Sequence, residues 1–169
     1  MSVIDRLLKI KEFREKKAEI ELANARADVK IAEQKVREAK KKWRDYQDFV
    51  IEEEKRMFSS LYNKMVKRSD IENVRSAVGD MQKQEIHYED LFDEANDHLS
   101  KCHNTLKQRQ QEHQYAMKVK QKFVELSDFL KKQAEEESSR KIDEEMDEIA
   151  LSLSLRQESL EEQAGDGAL

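Results

Sequence analysis

The sequence has no proline at all, a single cysteine and only three glycines in 169 residues. Each scarcity excludes something. Loops and tight turns draw heavily on proline and glycine, so a chain nearly without them reverses direction very few times. Two of the glycines, Gly165 and Gly167, fall in the last five residues, which leaves Gly79 alone inside the body of the sequence. One cysteine excludes an internal disulfide. No apolar run approaches the ~18 residues that a membrane-spanning helix needs. The opening Met-Ser-Val-Ile-Asp-Arg puts charge inside its first apolar stretch and has no signal-peptide core, so a cytoplasmic location is expected.

What the chain does have is charge. Asp, Glu, Lys and Arg make up 41% of it against 37% hydrophobic residues. That balance suits long helices whose apolar positions form a narrow seam better than a domain with a broad core.

Hydrophobic spacing sharpens this. From Leu22, steps of three and four pass through Ala25, Val29, Ala32, Val36, Ala39, Trp43, Tyr46 and Val50, nine apolar positions in succession. Upstream, Ile4, Leu7, Leu8 and Ile10 keep a helical stripe in a shifted register, which a stutter near residues 11 to 18 would explain. A second frame starts at Ile71 and runs through Val74, Val78 and Met81 to Leu130 and Ala134. Fourteen of its nineteen positions are apolar; Glu85, Arg109, His113, Lys120 and Ser127 interrupt it as polar layers of the kind that fix register.

The turn is expected at 68–70. Ser69 with Glu72 three residues later reads as a capping box, while Lys64, Lys67 and Arg68 suit the end of the helix before it. A turn at Gly79-Asp80 is disfavoured because Val74, Val78 and Met81 stay in one frame across it. The expected fold is all-α: a long antiparallel two-helix coiled-coil hairpin with an acidic C-terminal tail. The first helix takes 1–67 and the second 71–135, with partners' numbers adding to about 138 and a length of roughly 95 Å. Residues 136–169 then form an acidic tail, amphipathic or disordered.

Few residues offer chemistry. No glycine-rich phosphate loop and no arrangement of nucleophile and base stands out, so no enzyme activity and no cofactor are expected. His98 and Cys102 share a helical face with His103 beside them, but zinc needs three or four ligands. Cys102 lies on the seam, where a small buried hydrophobe is the better reading, and no metal site is expected. The Lys40-Lys41-Lys42-Trp43-Arg44 cluster reads as a solvated basic patch ahead of a docking or phosphate-binding one. Up to Arg68 there are 19 basic and 13 acidic residues, largely alternating in sign, which fits nucleic acid poorly. The remainder carries 13 basic and 24 acidic residues, twelve of the acids at or after Glu135.

Two further surfaces are expected to be apolar and exposed. Near the turn, Met57, Phe58, Leu61, Tyr62 and Met65 are too many for one narrow seam, so some apolar surface is left exposed, and Glu53 opposite Glu85 loosens the seam beside it. In the tail, Ile142, Met146, Ile149, Leu153 and Leu160 make one helical stripe among acidic residues. With no first-helix residues to cover it, this segment is expected to be poorly ordered alone and to fold on a partner.

The opening Ile4-Asp5-Arg6-Leu7-Leu8-Lys9-Ile10-Lys11-Glu12-Phe13-Arg14-Glu15-Lys16-Lys17-Ala18-Glu19, the Ser69-Asp70 turn and the polar second helix ending in Asp147-Glu148-Ile149 resemble the type III secretion stalk proteins, the SctO/YscO family. The flagellar counterpart FliJ has the same hairpin plan. The resemblance covers essentially the whole chain, though its motifs are loose. It implies a non-enzymatic central stalk like the coiled coil of the rotary ATP synthase γ-subunit, cytoplasmic and peripheral to the inner-membrane secretion apparatus, without insertion into the membrane.

The end that bears the termini is then expected to enter the pore of a hexameric secretion ATPase. Arg6, Lys9, Lys11, Arg14, Lys16 and Lys17 are the candidate contacts, and a solvated helix face is the competing reading for each. The turn end is expected to face the cytoplasmic ring of the export gate through Phe58, Tyr62 and Arg75. The tail stripe Ile142, Met146, Ile149 and Leu153 is expected to meet the ATPase pore or a second copy, against the competing reading of a tail without a role. Some members of the family also bind secretion chaperones. The runner-up is a membrane-surface or scaffolding coiled coil with a basic face; a holdase-like chaperone with helical tentacles is a third reading.

Overall fold

The computed structural model describes residues 2–62 and 64–166. Two helices account for nearly all of them, α1 at Val3–Tyr62 and α2 at Arg68–Asp166, packed together as an antiparallel all-α hairpin. No strand occurs among the described residues. The start of α1 is a reciprocal cap: the Ser2 backbone N–H donates to Asp5 Oδ2 at 3.0 Å, and the Asp5 N–H donates to Ser2 Oγ at 3.2 Å. The chain divides into two compact units, Arg14–Ala116 and Met1–Phe13 with Met117–Leu169.

In the Arg14–Ala116 unit the seam is narrow, as the spacing demands. Leu22, Ala25, Val29, Ala32 and Val50 of α1 and Met81 of α2 are buried, and Val36, Ala39, Trp43 and Tyr46 are half-buried between them. Aromatic rings fill the wider layers. Trp43 lies against Phe92 with centroids 5.5 Å apart, and Tyr46 lies 5.0 Å from Tyr88. Burial among these rings pushes the Tyr46 hydroxyl above its ordinary pKa, helped by Tyr88 and Glu85.

Three of the five interruptions of the second frame, Glu85, Arg109 and His113, make polar contacts across the hairpin. Gln47 Nε2 donates to Glu85 Oε1 at 3.0 Å, Arg109 Nη1 donates to Glu21 Oε2 at 3.1 Å, and His113 Nε2 lies 3.4 Å from Glu15 Oε1. These three polar side chains face polar partners, which an out-of-register pairing would leave unmatched.

Three expectations are corrected here. α1 ends at Tyr62 and α2 already starts at Arg68, so 68–70 lies inside α2 and the described part of the connection is 64–67. Asp70 is the capping residue: its Oδ2 accepts the Lys67 backbone N–H at 3.1 Å, and its own N–H donates to the Lys67 carbonyl at 3.0 Å. Ser69 falls inside the first turn, and Glu72 accepts from Arg68 at 3.3 Å instead of closing a box with Ser69. No basic residue stands in the last turn of α1; Lys64 and Lys67 lie in the connection and Arg68 opens α2.

The register moves with the turn. Numbers of contacting partners add to 128 for Glu15 and His113, 132 for Gln47 and Glu85, and 135 for Trp43 and Phe92, below the expected 138. Glu53 therefore does not oppose Glu85; it accepts from Arg56 one turn along α1, a bond that holds its carboxyl below the usual range.

The stutter is also absent. Shielded positions of α1 run back from Leu22 through Ala18, Glu15, Lys11, Leu8 and Ile4 in unbroken steps of four and three. The frame looked shifted because Lys11 and Glu15, two charged residues, occupy seam positions.

In the other unit, Lys11 Nζ sits 5.0 Å from the Phe123 ring centroid, a cation over an aromatic face. Phe123 and Val124 are half-buried and Ser127 is buried, but Leu130 is exposed and so is every described side chain from Lys131 to Gly165. This segment, expected to be disordered or amphipathic, is a helical arm. It continues an existing helix and so bears no nucleation cost, and Lys141 with Glu137 and Arg140 with Glu144 add i,i+4 pairs.

Candidate functional site

Three surfaces were expected to carry contacts, and their side chains sit as follows. Of the basic residues at the start of α1, Arg6 and Lys9 in the one unit and Arg14, Lys16 and Lys17 in the other are exposed. Lys11 differs from them. It is half-buried at the seam with its ammonium over Phe123, so it belongs to the packing of the two helices and not to an outward basic face.

At the connection, Met57 and Leu61 turn toward the seam and are half-buried, while Phe58 is 51% and Tyr62 89% exposed. Seam-facing and outward positions on a helix cannot both be served by one partner, and the aromatic residues take the outward ones. Met65, Val66 and Ile71 are exposed as well, so the apolar surface extends through the connection into the first turn of α2. Arg75 is exposed one turn further along. Met and aromatic side chains in such a patch suit an adaptable protein contact.

On the arm, Ile142, Met146, Ile149 and Leu153 are between 55% and 62% exposed. Leu151, Leu155 and Leu160 are exposed too.

Cys102, expected as a buried hydrophobe, is only half-buried, with its Sγ 3.6 Å from His98 Nε2. Ala25, Asp28 and Thr105 join them around a shallow recess. Among the described residues no three His, Cys, Asp or Glu side chains converge as metal ligands, and no helix is long and apolar enough to cross a membrane.

A further surface went unnoticed in the sequence. Ile20, Ala23, Ala27 and Ile31 are all exposed on the side of α1 opposite the seam, with Ile20 at 62% and Ile31 at 56%. The signal was present as a second set of three- and four-residue steps, hidden because it shares residue types with the stronger seam frame.

Comparison with known proteins bears on the assignment of these surfaces. A family model described as type III secretion protein YscO matches residues 4–152. The crystal structure of the type III secretion protein YscO from Vibrio parahaemolyticus is similar over 86% of this chain and 90% of that one, with 28% identity and a TM-score of 0.75. Comparison with curated proteins gave no significant match.

Proposed function

The chain belongs to the YscO family of type III secretion proteins, and from that premise we propose that it is a non-enzymatic stalk linking a hexameric export ATPase to the export gate. On this reading it works in the cytoplasm against the inner-membrane secretion apparatus and couples or stimulates the ATPase without hydrolysing anything itself. The observation that carries the proposal is the contrast between the two ends of α1. Its first turns present exposed cations, Arg6 and Lys9 among them, and its last turn presents exposed Phe58 and Tyr62.

Exposed cations on a helix suit acidic loops lining a ring. Arg6, Lys9, Arg14, Lys16 and Lys17 are the contacts assigned to the ATPase; Lys11 supports them from the seam. The arm residues Ile142, Met146, Ile149 and Leu153 continue from the same end of the pairing and are assigned to the pore as well. Phe58, Tyr62 and Arg75 are assigned to the cytoplasmic ring of the gate. Secretion chaperones are further candidate partners by family analogy.

The deciding experiment reverses charge at Arg6→Glu, Lys9→Glu and Lys16→Glu together and measures stimulation of the cognate ATPase against its basal rate. Stimulation is expected to disappear while helicity is kept. Unchanged stimulation removes the pore assignment.

A further inference from the structure

The arm and the outer face of α1 are complementary in a way that neither shows alone. From Glu135 to Asp166 the arm carries twelve acidic and three basic residues. From Arg14 to Arg44, α1 carries eleven basic and six acidic residues, and two of those acids, Glu15 and Glu21, are engaged across the seam by His113 and Arg109. Each surface has an exposed apolar stripe at helical spacing within its field of charge. On the arm Ile142, Met146, Ile149 and Leu153 are bulky and flanked by Asp143 and Glu145. On α1 the middle of the stripe is flat, Ala23 and Ala27 between Ile20 and Ile31, with Lys16, Lys17, Lys30 and Lys35 around it.

We infer that two copies of the chain associate by exchanging arms, the Ile142–Leu153 stripe of one copy lying on the Ile20–Ile31 face of α1 in the other. Large residues over small ones let two helices approach closely, and the alanines supply that approach. The arm's apolar residues are uncovered within their own chain, so burying them takes a second molecule. Two arms pairing with each other would bring two strongly acidic segments together, which repels. An arm on α1 brings opposite charges together. The two modes therefore respond to salt in opposite directions, because screening weakens attraction in one and relieves repulsion in the other.

The association concerns the chain free of its ATPase, and its test uses the full-length chain alone, so its failure would leave the stalk reading standing. Light scattering over a concentration series should show a dimer at about 0.05 M salt that dissociates at about 0.5 M, with the dissociation constant rising at least tenfold or so. Ile149→Glu with Leu153→Glu should give a monomer of unchanged helicity. The register is tested by mixing two single-cysteine chains in a Cys102→Ser background, one with Ile149→Cys and one with Ala27→Cys. These positions lie near the centres of their stripes and meet whichever way the helices run.

A mixed disulfide dimer supports the exchange. If the Ile149→Cys chain couples only to itself, the arms pair with each other and the proposal is overturned. A chain that stays monomeric at low salt up to about 100 μM overturns it as well.

Discussion

Arg109 of α2 reaches across the hairpin to Glu21 of α1 at 3.1 Å while also donating to Glu112 on its own helix at 2.8 Å. One guanidinium thereby ties a seam position to a fixed point on the other helix. Both side chains of the cross-helix pair are about one-third exposed, so solvent screens them and their net stabilisation is small. Their value is in register. An antiparallel helix pair lined with alanine and valine can slide by a heptad with little loss, unless polar groups would then face apolar ones.

Replacing this pair with an apolar layer should therefore leave stability intact and blur the alignment. For Arg109→Leu with Glu21→Leu the expected melting temperature is equal to or above that of the wild type. Spin labels on Lys30 and Lys101 should give a single distance in the wild type and a broadened distribution in the variant. An unchanged distribution would mean that the seam's shape alone sets the register.

The same arginine has a pH signature. The hydrogen bond donated by Arg109, with a smaller one from Gln108, holds the Glu112 carboxyl below the usual carboxylate range. A folded-state pKa below the unfolded one adds stability at pH values above the ordinary glutamate pKa, and that addition is lost as pH falls through the folded value. Arg109→Gln should move the Glu112 titration midpoint, followed by carboxyl carbon chemical shift, back up toward the ordinary carboxylate range. The stability gap between the two proteins should be present at neutral pH and close in acid. A gap that persists unchanged once Glu112 is protonated in both proteins would show that Arg109 acts through packing.

Gly79 offers a simple gain. It lies inside α2, has no positive φ, and a Cβ added there would meet nothing within 4 Å. Gly79→Ala is expected to raise stability by roughly 0.5–1 kcal/mol, measured by urea unfolding, through lower entropy of the unfolded chain. A loss on substitution would indicate that the chain uses Gly79 for close approach to something outside it.

The seam was legible because steps of three and four join nine apolar positions in succession from Leu22 to Val50, and no other structure tolerates that pattern for so long. The missed continuity of the seam and the misplaced cap share one cause, charged residues in structural positions. Lys11 and Glu15 hid the continuity of the frame toward Ile4 because a seam lysine and glutamate look like surface until Phe123 and His113 appear opposite them. Ser69 and Glu72 matched a capping pattern, yet Asp70, one residue along, caps better by reaching back to Lys67. The exposed aromatic residues at the end of α1 followed from counting, since Leu61 and Met57 already fill the available seam positions. The outer stripe of α1 was written in its own three- and four-residue steps, but its exposure is known only when the other face of the helix has found its partner.

The cap at the head of α2 separates the two readings of the turn. With Asp70 as the capping residue, Asp70→Ala removes the acceptor of the Lys67 N–H and a negative charge from the first helical turn, and should cost about 1 kcal/mol. Ser69→Ala should cost no more than about 0.3 kcal/mol, because its hydroxyl closes no box. Glu72→Ala loses only an exposed i,i+4 pair with Arg68, also worth a few tenths of a kcal/mol. If Ser69→Ala proves the most harmful of the three, the turn lies at 68–70 after all and the register of the hairpin moves with it.

The aromatic residues at the end of α1 make the sharpest separation between stability and binding. Phe58 and Tyr62 are exposed while their neighbours Met57 and Leu61 are half-buried, so the four side chains divide by face and not by type. Alanine at both Phe58 and Tyr62 removes little buried area and should shift the melting temperature by no more than about 2 °C. Alanine at Leu61 deletes packing at the seam and should cost about 2 kcal/mol even with partial exposure. If the outward pair docks the export gate, the double variant should bind the purified cytoplasmic ring at least about tenfold more weakly, since exposed aromatic anchors dominate such contacts. Arg75→Ala should weaken it further. A large stability loss in the double variant would place the rings in the packing of the connection, and full binding by a stable double variant would remove this surface from the gate contact.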